Sequence, residues 1–183
     1  MKNKQQQQKG FTLLELLLVV GIAAILIVAG ITTYNLVNRG NQINDSVRLT
    51  NILMDQVRRL YSSNGNYGTS DLEAALYNSG VVPGKYKSAT AGVINTPFDT
   101  TASAIAITGS NNSFIVSINV PASYIPEFLN NFNPANNTDI QGIDACNTST
   151  TSTTNGVTSV NPATLASTCG STNTLKLVKL TVK

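Results

Sequence analysis

The chain has 183 residues, room for one ordinary domain plus an extra element, and it contains no His, no Trp and only two Cys. That composition removes most zinc-site chemistry and most routes to an activated nucleophile, both of which draw on His, Cys and carboxylate clusters. Charged residues make up 11%, well under the roughly 25% of ordinary soluble domains, while Ser, Thr and Asn fill 60 positions, so the surface is polar but largely uncharged.

The net charge of +3 belongs entirely to Lys2, Lys4 and Lys9. Beyond residue 10 nine basic and nine acidic residues balance, and with no Lys/Arg stripe, direct nucleic-acid binding is not expected. The basic segment 1–10 abuts an apolar run from Phe11 to Ile31, interrupted only by Thr12, Glu15, Gly21 and Gly30. As a helix these 21 residues cover about 32 Å, one bilayer core. Positive residues before the run place the amino terminus in the cytoplasm. A cleaved secretory signal would have a shorter apolar core of about 7–15 residues and a small-residue cut site. A plain single-pass anchor fits length and orientation but leaves Glu15 as an unexplained cost, and ionisable groups in spans point to function.

Past Ile31 the apolar positions thin to one face: Ile43, Val47, Met54, Val57 and Tyr61, joined by Leu36, Val37, Leu49, Leu53 and Leu60. Asp45 with Arg48, and Asp55 with Arg58 and Arg59, fall three or four apart, the spacing of intrahelical ion pairs. No Pro interrupts residues 11–61, which predicts one helix of about 50 residues, apolar all round in its first half (11–31) and amphipathic in its second (32–61). For Gly21 and Gly30 two readings stand: close helix packing, or weak points where the helix can stretch or melt.

A turn-rich break at 62–68 is followed by Ser70 and Glu73 at capping-box spacing and by Gly80, which predicts a short capped helix over 71–79, with Pro83 as a stop. AIAIT (104–108) and FIVSINV (114–120) alternate around GSNNS and predict a β-hairpin. Residues 121–132 have room for one or two helical turns, and LKLVKLTV (175–182) reads as a final strand. The expected fold is therefore α+β: a long amino-terminal helix packed against a globular head, 62–183, with an antiparallel sheet.

From 145 to 175 there are 31 uncharged residues, including NTSTTSTTN at 147–155, too rich in Ser and Thr to supply a core. The solvated loop is the simplest reading of that tract, with glycans as an alternative. Cys146 and Cys169 bracket the region. An exported chain enters an oxidising compartment, where a disulfide staple is the expected state and a redox or metal pair the alternative.

The stretch KGFTLLELLLVVGIAAILIVAG resembles the amino terminus of a type IV prepilin. The resemblance implies a leader, 1–10, cut between Gly10 and Phe11 by a prepilin peptidase, N-methylation of Phe11, and a role for Glu15 in subunit addition. The segment RRLYSSNGNYGTSDLEAALYNSGVVP looks like the type IVb branch, which includes thin pili of conjugative plasmids and intestinal colonisation pili, although a ten-residue leader is short for that branch and Phe11 is more usual in type IVa. What this implies is a major pilin anchored in the bacterial inner membrane before assembly and polymerised with copies of itself by the pilus assembly machinery into extracellular fibres for adhesion, aggregation or mating contact. A minor pilin or a type II secretion pseudopilin shares every amino-terminal feature.

A membrane-anchored enzyme is the competing class. The head offers Lys85, Lys87, Lys176 and Lys179 but no His, and Asp139 and Asp144 read as solvated loop charges, so no catalytic residue, metal ligand or cofactor is expected.

Overall fold

In a computed structural model, residues 12–101, 104–134, 137–146 and 161–183 are described. They form helices α1 (Leu13–Tyr61), α2 (Glu73–Asn78), α3 (Ile125–Asn130) and α4 (Pro162–Cys169), and strands β1 (Ile105–Ser110), β2 (Ser113–Pro121), β3 (Ile140–Ala145) and β4 (Leu175–Val182). The chain divides into two compact units, one ending at Gly40 and the other spanning Asn41–Lys183. The architecture is α+β, a long amino-terminal helix and an antiparallel sheet in a globular head.

In the first unit the apolar side chains of α1 stay exposed, from 78% at Leu13 to 52% at Ile22. The helix is unbroken at Gly21 and Gly30, where a Cβ would meet nothing within 4 Å. Thr32 and Thr33 return their hydroxyls to the Ala29 carbonyl at 2.9 and 3.0 Å, so both polar groups find a partner inside an apolar rod.

In the second unit the remainder of α1 turns one face inward, burying Ile43, Ser46, Leu49, Thr50, Leu53, Met54 and Val57 at helical spacing. Val47 and Tyr61 are half-buried, whereas Leu36, Val37 and Leu60, expected on the apolar face, are exposed. Ser46 and Thr50 occupy core positions that hydrophobicity alone does not reveal; the Thr50 hydroxyl donates to the Ser46 carbonyl at 2.8 Å. The anticipated intrahelical ion pairs largely give way to tertiary ones. Asp45 takes Lys85 at 2.8 Å, and Arg58, 3.8 Å from Asp55, lies closer to Asp139 at 3.1 Å.

The sheet runs β1-β2-β4-β3 with every neighbouring pair antiparallel. β4 coincides with the expected final strand, and the hairpin is longer than expected, its loop reduced to Asn111 and Asn112. Asn111 takes φ of 51°, a left-handed turn conformation that Asn tolerates well. Register aligns Ile107, Val116, Leu180 and Ile143 in one buried row across all four strands. A bulge between Ile140 and Gly142 is what keeps both Ile140 and Ile143 inward, because a three-residue step in a regular strand would turn them to opposite faces. These rows share one core with Leu49, Leu53 and Val57 of α1, each buried side chain contributing about 1.5–3 kcal/mol. Tyr67 continues that core, its ring 5.9 Å from Tyr61 and 4.9 Å from Phe114.

The outer edge of β1 is covered by the segment after α1. Tyr67 donates its N–H to Asn111, Asn111 to Gly68, Gly109 to Ser70 and Leu72 to Ile107, at 2.7–3.0 Å, which blunts an otherwise open strand. This pairing also corrects the expected cap. With Ser70 held at the sheet edge, the α2 start is closed instead by Asp71, whose Oδ1 accepts the Glu73 N–H at 3.0 Å, and the helix begins at Glu73. The same close approach demands Gly109: a Cβ there would overlap the Tyr67 carbonyl oxygen and lie 2.8 Å from that of Gly68, both backbone atoms. Gly109→Ala is expected to destabilise the head by about 2–3 kcal/mol, the upper range for overpacking, read by chemical denaturation followed by circular dichroism.

Two elements lie where sequence analysis expected only loop. β3 enters beside β4, and α4 forms inside the uncharged region because Asn161 accepts the Ala163 N–H at 3.0 Å while Pro162 occupies the first helical position. A 3₁₀ turn, Gly84–Tyr86, follows Pro83, and another, Ala122–Tyr124, leads into α3. Cys146, directly after β3, and Cys169, at the end of α4, form a disulfide. The tract 147–155 lies outside the described residues. Asp99 ties the loop before β1 to the sheet, accepting from the Thr101 N–H and hydroxyl and from the Asn119 amide at 2.9–3.0 Å. Burial alone would push its carboxyl up, but the hydrogen bonds from Asn119 and Thr101 hold it below the usual carboxylate range.

Candidate functional site: the amino-terminal helix

Chemistry at the amino terminus begins with how α1 starts. The Glu15 N–H donates to the Thr12 hydroxyl at 3.2 Å, so Thr12 acts as the helix cap and Glu15 falls in the first turn, where a negative charge complements the helix dipole. Between Lys9 and Arg39 Glu15 is the only charged residue. It is exposed, as are all the residues of α1 up to Leu36, which leaves one carboxylate on a bare apolar rod. Gly10 and Phe11, the expected cut site and methylation site, lie outside the described residues.

Among the described residues α1 is the one helix long and apolar enough to cross a membrane. Its apolar atoms cannot remain in water, and the surroundings that satisfy them are lipid or other apolar helices.

The residues weighed as candidates for catalysis have structural partners. Lys85 and Asp45 close an ion pair over a groove of about 290 Å³ lined also by Arg48, Leu49, Ile52, Pro83, Gly84 and Tyr86. The hydrogen bond with Lys85 holds the Asp45 carboxyl down, and that with Asp45 holds the Lys85 ammonium up, so neither is poised as a base or nucleophile near neutral pH. Lys87 lies 5.0 Å from the Tyr77 ring centre. Asp139 is bound to Arg58, and Asp144 stands opposite Lys179 in the β3–β4 register. Lys176 of β4 stands opposite Val120 of β2 in register. Sequence analysis missed the groove because its two walls are about forty residues apart, with no local pattern to join them.

No curated protein matches the chain. Residues 5–31 match the family model described as the prokaryotic N-terminal methylation motif, a stretch that takes in the leader end, Gly10, Phe11, Glu15 and the exposed apolar part of α1. The motif points to a structural subunit, one that a prepilin peptidase processes and that assembles into pili, and the apolar helix suits membrane anchoring before assembly. Over residues 5–31 the chain carries the amino-terminal motif of type IV pilin- and pseudopilin-like prepilins.

Proposed function

We propose that the chain is the major subunit of a type IVb-like pilus. In this reading residues 1–10 are removed between Gly10 and Phe11 and Phe11 is N-methylated. Residues 11–31 hold the subunit in the inner membrane with its amino terminus cytoplasmic, and 32–61 carry the head, 62–183, outward. The observation that carries it is the exposed apolar first half of α1 bearing one carboxylate at its start.

Lipid tails are as apolar as Leu, so moving α1 from a bilayer into a core of like helices gains little from hydrophobicity, and packing with polar pairing must bias the step. Glu15 supplies that bias by meeting the charged amine of Phe11 on a neighbouring subunit. At about 4 Å and an effective dielectric of 20 the gross attraction is about 4 kcal/mol, part of which desolvation removes. N-methylation keeps the amine cationic. An uncut leader removes that amine and substitutes Lys9 and Gly10, so processing licenses assembly.

The type IVb part of this reading rests on the resemblance of the segment 58–83 to that branch. Shearing cells and measuring which chain dominates the filament fraction tests the major-subunit role. Dominance by this chain is the expected result; trace amounts assign it to a minor pilin or to a pseudopilin.

A further inference from the structure

Between α2 and β1 the chain folds back on itself. Lys87 and Ile94 form a β-bridge, Asn95 donates its N–H to Tyr86 at 2.8 Å and Ser88 to Val93 at 3.1 Å, giving a small hairpin over residues 86–95 with an exposed tip at 89–91. The hairpin lies on α2, and its Tyr86 and Ile94 belong to the buried core. The Tyr77 hydroxyl donates to the Ser88 carbonyl at 3.0 Å, Gly92 lies against Ala74, and the Ile94 N–H donates to Glu73 Oε1 at 2.9 Å.

The last of these is unusual. Glu73 is only 7% exposed and Ile94 is fully buried, so a carboxyl group is the acceptor for a buried backbone amide that has no strand to pair with at that point. We propose that Glu73 is a proton-controlled clip, holding the 86–95 hairpin against α2 while protonated and loosening it on ionisation. A neutral carboxyl accepts that amide bond at modest desolvation cost, whereas an anion at the same place loses its water and gains one hydrogen bond in return.

The neighbouring charges do not rescue the anion. Asp71, whose carboxylate bonds the Glu73 N–H, is negative and repels it. Lys87 of the hairpin is directed to the Tyr77 ring, and Lys85 is taken by Asp45 of α1. Burial pushes the Glu73 carboxyl up to about 7, opposed by the Ile94 amide and reinforced by Asp71. Tyr86 of the hairpin and Lys85 just before it also line the groove beside Asp45 and Ile52.

The sign follows from linkage. The clipped form holds a proton up to about pH 7, whereas a released Glu73 gives it up near its ordinary 4.5. Opening therefore becomes easier as pH rises from about 4.5 to 7 and levels off above that. The test is amide hydrogen exchange by mass spectrometry on the full chain in detergent micelles, corrected for the intrinsic pH dependence of exchange. Protection of peptides covering 86–95 should fall about tenfold per pH unit between about pH 5 and 7 and then flatten. Glu73→Gln, which keeps an acceptor for the Ile94 N–H, should abolish that dependence, and Asp71→Asn should move the plateau to lower pH. Wild-type protection that does not change with pH, or a Glu73→Gln variant as pH-dependent as wild type, would overturn the clip. So would an equal loss in strands β2 and β4, which would mark global unfolding.

Discussion

Glu15→Ala is expected to leave the subunit folded and in the membrane while filaments fall by an order of magnitude or more. Glu15 is exposed on α1 in the first unit, whereas the buried core belongs to the second. The Thr12 cap is made to the backbone N–H of residue 15, which Ala retains. Removing a carboxylate from an apolar run favours bilayer residence, so insertion should be unchanged or improved. What the proposed mechanism would lose is the polar pairing of the fibre core. A hydrogen bond to a charged group contributes roughly 1.5–3 kcal/mol net, which is tenfold to about a hundredfold in the equilibrium constant of each addition. Glu15→Gln should be nearly as defective, because it keeps a hydrogen-bond acceptor without the charge. Immunoblots of sheared filaments and of membranes measure the two pools; normal filaments built from the Ala variant alone would remove the charge pair from the mechanism.

Cys146→Ser should lower head stability by roughly 3 kcal/mol, the chain-entropy value for a loop closed at a separation of 23 residues. The effect should be local in character. Cys146 directly follows β3 and Cys169 ends α4, and Cys169 is among the buried apolar residues, so the bond fastens an uncharged and weakly apolar region to the sheet. Without it, cleavage between residues 146 and 169 should accelerate before the hydrophobic rows of β2 and β4 open. The double variant Cys146→Ser/Cys169→Ser should lose no more than either single variant, since both remove one bond. Denaturant titration with limited proteolysis reads this, and unchanged resistance would show the staple is dispensable.

How much was legible in the sequence follows the physics of each element. α1 and β4 could be read because one signal decides each: unbroken apolarity and then a one-sided face in α1, a short apolar run with the β-branched residues Val178, Thr181 and Val182 in β4. β3 was not, because its inward residues Ile140 and Ile143 sit three apart and only a bulge reconciles that spacing with a strand. α4 did carry a readable start, Asn161 followed by Pro162, but Ser and Thr around it obscured the signal. Ser70 had the right spacing for a capping box, and a tertiary demand, pairing with the β1 edge, won over the local one. Intrahelical ion pairs likewise yielded to Lys85 and Asp139, residues far away in the chain.

The candidate site divides the same way. Gly10, Phe11 and Glu15 are recognisable because they fall in one contiguous stretch, and the matched motif spans all three. The hairpin over α2 and the buried Glu73 are invisible at that level, since only folding brings residue 94 to residue 73.

The central claim is that cutting the leader exposes an amine whose pairing with Glu15 turns a membrane-held helix into a fibre component. The most direct measurement is the intact and amino-terminal mass of this chain recovered from sheared filaments. The account predicts a chain that begins at Phe11 and carries one added methyl group; filaments built from chains still bearing residues 1–10 would contradict it.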